Sequence, residues 1–349
     1  MTESLFGTPL IAAPMAGGTS TPHLVEAVHA AGGLGFLAAG YKSAEGMAAE
    51  IRAARDAGVR FGVNVFVPDA GLLADAGKAA RAAATAGLEA YRAALLPEGR
   101  RYGVAIPELR LDDDDAWQAK IDALLAEPVE FASFAFGLPG APVVRALQRA
   151  GTAVIASVTC AAEARLAVEQ GADALVVQHG SAGGHTAAFL PEPQRLSRAG
   201  TTAELVAEVR AAVGIPLIAA GAIMDGAELR AILQEGAVAG QLGTALVRTE
   251  ESGARQLHKD ALANPHFTET AMTRAFTGRW ARALVNEFVR DHADAPDGYP
   301  AIHHLTAPVR AAAAAAGDAE RLNLWAGTGW REAKDGSVVA VVTEFLNGL

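Results

Sequence analysis

The chain has a single cysteine, Cys160, among 349 residues, which excludes an internal disulfide framework and any multi-cysteine metal cluster. Cys160 is read as a small packed residue. No apolar run approaches the roughly 20 residues that span a bilayer, and no basic N-terminal segment leads into an apolar stretch and a small-residue cleavage site. The expectation is a soluble, cytoplasmic protein with no membrane partner. Positive charge is scarce too, since 29 Lys and Arg face 39 Asp and Glu for a formal charge of −10. That argues against an extended nucleic-acid surface, though not against donors inside a pocket. No spacing of His, Asp or Glu makes a convincing metal site.

What is present is a repeating pattern. Short apolar, often β-branched runs occur at residues 9–15, 33–39, 61–67, 131–136, 153–159, 174–178, 216–221 and 240–247, with helix-like segments between them. Strands buried on both faces read as continuous apolar runs, so eight such units predict an α/β fold, a closed (β/α)8 TIM barrel. Helix starts agree. Thr21-Pro22 sets a capping hydroxyl before a proline suited to the first helical position, while Thr201 with Glu204 and Asp225 with Glu228 resemble capping boxes.

Residues 1–248 are therefore assigned to the barrel, with a helical insertion at about 70–127 where some sixty residues separate the third and fourth runs. The acidic run at 112–115 reads as a solvated turn. Helical signals at 255–263 and 282–289 predict a small, mainly helical lobe over the barrel mouth at 249–309, on the substrate side. Residues 310–349 should form C-terminal helices packing back on the barrel, the alanine tract at 311–316 being an ordinary helix stopped by Gly317.

In such barrels the active site lies at the C-terminal ends of the strands. The sixth run ends in Gln178-His179-Gly180-Ser181-Ala182-Gly183-Gly184-His185, a glycine loop presenting a histidine. Glycine allows close backbone approach to a ligand, and imidazole exchanges a proton near neutral pH. The seventh run ends at Gly221-Ala222, and Gln241-Leu242-Gly243-Thr244 lies in the eighth. The loops after strands seven and eight commonly hold phosphate, so these glycines and the Thr244 hydroxyl suggest a phosphate cradle, the alternative being simple tight turns. Asn64, Gln178 and the turn Ala13-Pro14-Met15 could then meet a flavin ring, which suits FMN. For Asn64 the other reading is a buried amide bridging two strands. For His185 it is a packed histidine bonded to a carbonyl.

The ordered set Ala13-Pro14-Met15-Ala16-Gly17-Gly18, Ala31-Gly32-Gly33-Leu34-Gly35, Phe61-Gly62-Val63-Asn64-Val65-Phe66, Ala182-Gly183-Gly184-His185, Ile218-Ala219-Ala220-Gly221-Ala222-Ile223 and Gln241-Leu242-Gly243-Thr244 resembles class I nitronate monooxygenases, once called 2-nitropropane dioxygenases. Phe276-Thr277-Gly278-Arg279 and Leu324-Trp325-Ala326-Gly327 resemble that class as well. The resemblance implies FMN contacts from Asn64, Gln178, Gly183, Gly221 and Gln241 to Thr244, with Ala13, Pro14, Met15, Gly184 and Ala222 completing the cofactor set, and His185 as the catalytic histidine. It implies oxidation of a small nitronate or nitroalkane, propionate 3-nitronate among the candidates, by O2 to a carbonyl compound and nitrite. The oligomeric state is left open. Two features depart from the family pattern: Ser181 stands where glutamate is usual, and Ala222 where a second glycine is usual, a change of little cost if only its N–H is used. Other readings on the same barrel are an FMN-dependent enoyl-ACP reductase or NAD(P)H:quinone reductase, and a noncatalytic flavin- or phosphate-binding protein.

Overall fold

The computed structural model describes residues 5–68, 78–194 and 197–349. Among the described residues eleven strands run in chain order: β1 Leu10–Ala12, β2 Leu34–Ala38, β3 Phe61–Phe66, β4 Phe131–Ala135, β5 Ala153–Val158, β6 Ala174–Gln178, β7 Gly184–His185, β8 Leu217–Ala220, β9 Ala239–Leu242, β10 Thr270–Thr273 and β11 Ala281–Leu284. Eight of them close an all-parallel barrel in the order β1-β2-β3-β4-β5-β6-β8-β9, with β9 pairing back to β1. This is the TIM barrel, with helices between its strands.

Alternation along each strand sorts its residues. On β6, Leu175 and Val177 pack outward into the helical layer, while Val176 faces inward. Phe36, Phe131 and Ile155 help fill the barrel with Phe6, whose ring centroid lies 5.2 Å from that of Phe131. Gly62 is required there, since a Cβ would come within 2.2 Å of the Phe36 ring. The same alternation turns Asn64 and Gln178, late on β3 and β6, toward the mouth.

The capping signals are realised. Thr21 Oγ1 accepts from Leu24 N at 3.1 Å, Thr201 Oγ1 from Glu204 N at 3.2 Å and Asp225 Oδ1 from Glu228 N at 2.8 Å. The carboxylates of Glu204 and Glu228 reach back to the N–H groups of Gly200 and Met224, one residue before each cap.

Three expectations need correction. The eighth strand ends at Leu242, and Thr244–Val247 is a short helix. The stretch at 282–289 is not one helix but the strand β11 followed by the helix Glu287–Asp291. The acidic run is not simply solvated: Asp115 Oδ2 pairs with buried Lys120 at 2.7 Å and its Oδ1 accepts from Tyr41 N at 2.9 Å, while Asp113 Oδ2 meets His304 Nε2 at 2.7 Å. These contacts dock the segment against the helix Ala301–Ala315 and the turn at Tyr41. The first part of the insertion expected at about 70–127, through residue 77, lies outside the described residues.

Over the mouth, β10 and β11 form an antiparallel pair to which β7 adds as a third strand. The stretch at 249–309 thus contains strands as well as helices, and the helix Ala301–Ala315 runs across residues 309 and 310. Among the described residues, no helix is long and apolar enough to cross a membrane, and no cluster of His, Cys, Asp or Glu could hold a metal ion.

Candidate active site

A cavity of about 430 Å³ lies between the strand ends and the overlying segment, within the range of sites that hold small molecules and cofactors. Ala13, Pro14, Met15, Asn64, Gln178, Gly183, Gly184, His185, Gly221, Ala222, Gln241, Gly243 and Thr244 all line it. Leu242 does not. Its side chain packs into the helical layer outside the barrel, and its carbonyl accepts from Ala13 N at 2.8 Å.

The polar residues divide by what they already bind. Asn64 Nδ2 donates to the Ser133 carbonyl at 3.2 Å and to Ser133 Oγ at 2.9 Å, so this amide does bridge β3 and β4. Gln178 is a clamp. Its Nε2 donates to the His185 carbonyl at 3.0 Å, and its Oε1 accepts from Ala187 N at 2.7 Å. Both ends of the amide hold the segment that carries His185.

His185 is fixed from the overlying sheet. Opposite Ala281 in the β7–β11 ladder, its ring sits against Trp325 at 5.1 Å, Phe136 at 5.6 Å and Tyr299 at 6.1 Å between centroids. Nε2 lies 2.9 Å from Thr277 Oγ1. The Thr277 hydroxyl has a poorer second acceptor in the Arg279 carbonyl at 3.4 Å, so donation to Nε2 is favoured and the ring proton is assigned to Nδ1. Burial, then the positive charges of Arg279 and Arg310, push the imidazole down to about 3. At neutral pH His185 is an uncharged hydrogen-bond donor.

The glycines serve different needs. A Cβ on Gly183 would lie 2.5 Å from Gly327 N, so glycine there lets residues 326–327 cross the loop. Gly243 has φ −110°, and a Cβ would meet nothing nearer than Ala13 Cβ at 3.7 Å. No protein atom crowds a Cβ at 243; the space beside it opens on the cavity. Next to it, Thr244 Oγ1 accepts from Gly327 N at 2.9 Å. Ala222 holds φ +48°, so the alanine carries a left-handed strain of about 1 kcal/mol, more than the little cost expected of it. Tyr41 at φ +66° and Phe136 at φ +73° are strained too, and all three border this cavity.

Ser181 pairs with His179. Its Oγ lies 2.8 Å from His179 Nδ1, and His179 Nε2 lies 3.3 Å from the Ala199 carbonyl. His179 is structural. The adjacent histidines 303 and 304 point apart: His304 goes to Asp113, while His303 lines the cavity and stacks on Tyr41 at 4.0 Å.

A model of the nitronate monooxygenase family matches residues 1–348. The chain belongs to the nitronate monooxygenase family. It is accordingly an oxidoreductase. A probable nitronate monooxygenase of Staphylococcus aureus (strain MSSA476) is 35% identical over 344 residues, covering 97% of this chain and 93% of that protein. Among solved structures, nitroalkane oxidase from Streptomyces ansochromogenes superposes with a TM-score of 0.90 at 44% identity, covering 99% and 96% of the two chains. FabK from Thermotoga maritima follows the same fold with a TM-score of 0.72 at 25% identity, covering 99% and 94%.

Sequence reasoning gave no role to Tyr41, Thr277, Arg279, Tyr299, Arg310 or Trp325. Thr277, Arg279 and Trp325 stood inside motifs already noted at 276–279 and 324–327, which was the available signal. For Arg310, inside an alanine-rich helix, there was none.

Proposed function

We propose that this enzyme oxidises alkyl nitronates with O2, giving a carbonyl compound and nitrite, with FMN as its cofactor. The observation that carries the reading is the uncharged, rigidly held His185 facing a cavity whose other wall is the glycine-lined strand ends. A donor that is neutral at working pH suits a substrate that is already an anion. A nitronate has lost its α-proton, so it needs a hydrogen bond to its charged oxygens rather than a base.

The residues fit the cofactor. Open space at Gly243 would be filled by a Cβ, so glycine there is explained by a group such as a phosphate approaching the backbone. Gly221, Ala222, Gly243 and Thr244 would hold that phosphate, and Ala13 to Met15 with Asn64 would border the ring. When bound, FMN would supply the redox chemistry that passes substrate electrons to O2. The protein's part is to place the nitronate, donate a hydrogen bond from His185 and shield the site with Trp325, Tyr299 and Phe136.

Acid release from the purified protein followed by chromatography should yield FMN, and turnover of a pre-formed alkyl nitronate should consume O2 and yield nitrite. Release of FAD, or a colourless protein that refuses added FMN, overturns the cofactor assignment. Failure to form nitrite from any short-chain nitronate overturns the reaction.

A further inference from the structure

The helix Ala301–Ala315 lays one face over the cavity, on which His303, Ala307, Arg310 and Ala311 are exposed to it. Arg310 finds only neutral acceptors. Its Nε donates to Thr306 Oγ1 at 3.1 Å, Nη1 to Asn323 Oδ1 at 3.3 Å and Nη2 to the His303 carbonyl at 3.0 Å and to His303 Nδ1 at 3.3 Å, leaving one Nη1–H for a ligand. Among the described residues no carboxylate stands within ion-pairing distance of it, and the nearby groups that act on its charge are Tyr41 and another cation, Arg255.

Arg321 shows what the same protein does with a structural arginine. Its guanidinium meets Glu98 at 2.9 Å, Glu287 at 2.9 Å and Asp291 at 3.1 Å. A charge withdrawn from water is costly without a counter-ion, and at Arg310 the protein leaves that counter-ion out. Burial lowers the guanidinium only to about 10, so it stays charged at neutral pH. The imidazoles and the phenol on the cavity, His185, His258, His303 and Tyr41, are uncharged there, and Arg255 is the other arginine that lines it. Alanines 307 and 311, one on either side, leave room for a ligand against the guanidinium.

Resting on the nitronate reading above, we infer that Arg310 is the substrate's anion receptor, pairing with the charged nitro oxygens and making the cavity select ionised nitronate over neutral nitroalkane. It is a specificity-determining residue. His185 donates one hydrogen bond, and Arg310 supplies the balancing charge.

The test uses flavin-loaded enzyme and two readouts. The first is KM and kcat for pre-formed ethylnitronate, with neutral nitroethane as a competing inhibitor. The second is binding of inorganic nitrate, an unreactive planar monoanion, followed by the flavin absorbance. Arg310→Met should raise the nitronate KM roughly 10- to 100-fold and weaken nitrate similarly, while the inhibition constant of neutral nitroethane stays within about threefold. Arg310→Lys should recover part of both. Asn323→Asp, which sets a carboxylate against the guanidinium without removing it, should imitate Arg310→Met and decides the matter if the methionine variant does not fold. Nitronate KM and nitrate affinity within twofold of wild type in the folded variants would overturn the inference. If wild type turns over no nitronate yet binds nitrate through Arg310, the receptor stands and the nitronate reading falls.

Discussion

His185 Nε2 and Thr277 Oγ1 lie 2.9 Å apart, joining the loop after β6 to a residue 92 positions further along the chain. This contact sets the ring's tautomer, leaving Nδ1–H as the donor. His185→Leu, which removes the donor, should therefore slow turnover of pre-formed nitronate about 10- to 100-fold with flavin retained, the size expected for losing a hydrogen bond to a charged group. Thr277→Val should give a smaller loss in the same direction. Steady-state rates on nitronate and on neutral nitroethane check this. A loss confined to the neutral substrate would make His185 a base instead.

The depressed histidines make stability fall in acid. His185 is held down to about 3 and His258 to about 4, both chiefly by burial, against an ordinary value of 6.5. The unfolded chain therefore binds more protons, so their stabilisation is complete above about pH 6.5 and is lost as pH falls through the acid range. Each contributes a slope of at most about 1.4 kcal/mol per pH unit. Urea melts between pH 7 and 4 should show His258→Gln with a shallower decline than wild type; parallel declines would contradict the burial account.

Gly243→Ala should leave the fold intact, because a Cβ there meets no protein atom closer than 3.7 Å. FMN affinity should fall at least about tenfold as the side chain fills the cradle. Fluorescence titration of the apoprotein with FMN measures it. Unchanged affinity would place the phosphate elsewhere.

Glu163 is fully buried and accepts from Thr159 N and Oγ1 and from Phe189 N and Leu190 N, at 2.7 to 3.0 Å. It ties β5 to the segment that follows His185. Glu163→Gln turns one acceptor into a donor facing N–H groups, and denaturant melts should show a loss of about 1–3 kcal/mol. A loss below about 0.5 kcal/mol would mean the carboxylate is not what holds that segment.

The barrel was legible because its strands are buried on both faces and several end at a glycine or polar residue, as at Gln178 and Gly221. Strand eight is shorter than its apolar run, since Ala245, Leu246 and Val247 are as apolar as the strand before them and three buried residues carry no period that separates helix from strand. The strands β10 and β11 were invisible for a related reason: Thr270–Thr273 and Ala281–Leu284 are short and lack a clean alternation. Of the site, the glycines and His185 could be read locally. The roles of Thr277, Gln178 and Arg310 depend on partners far along the chain or on the absence of one, and no local pattern records that.

Anaerobic mixing of the flavin-loaded enzyme tests the central claim most directly. Pre-formed alkyl nitronate should bleach the flavin absorbance rapidly, and NADH or NADPH should leave it unchanged over the same interval. Rapid bleaching by a pyridine nucleotide, with none by nitronate, would contradict the account and make the enzyme a reductase on the same barrel.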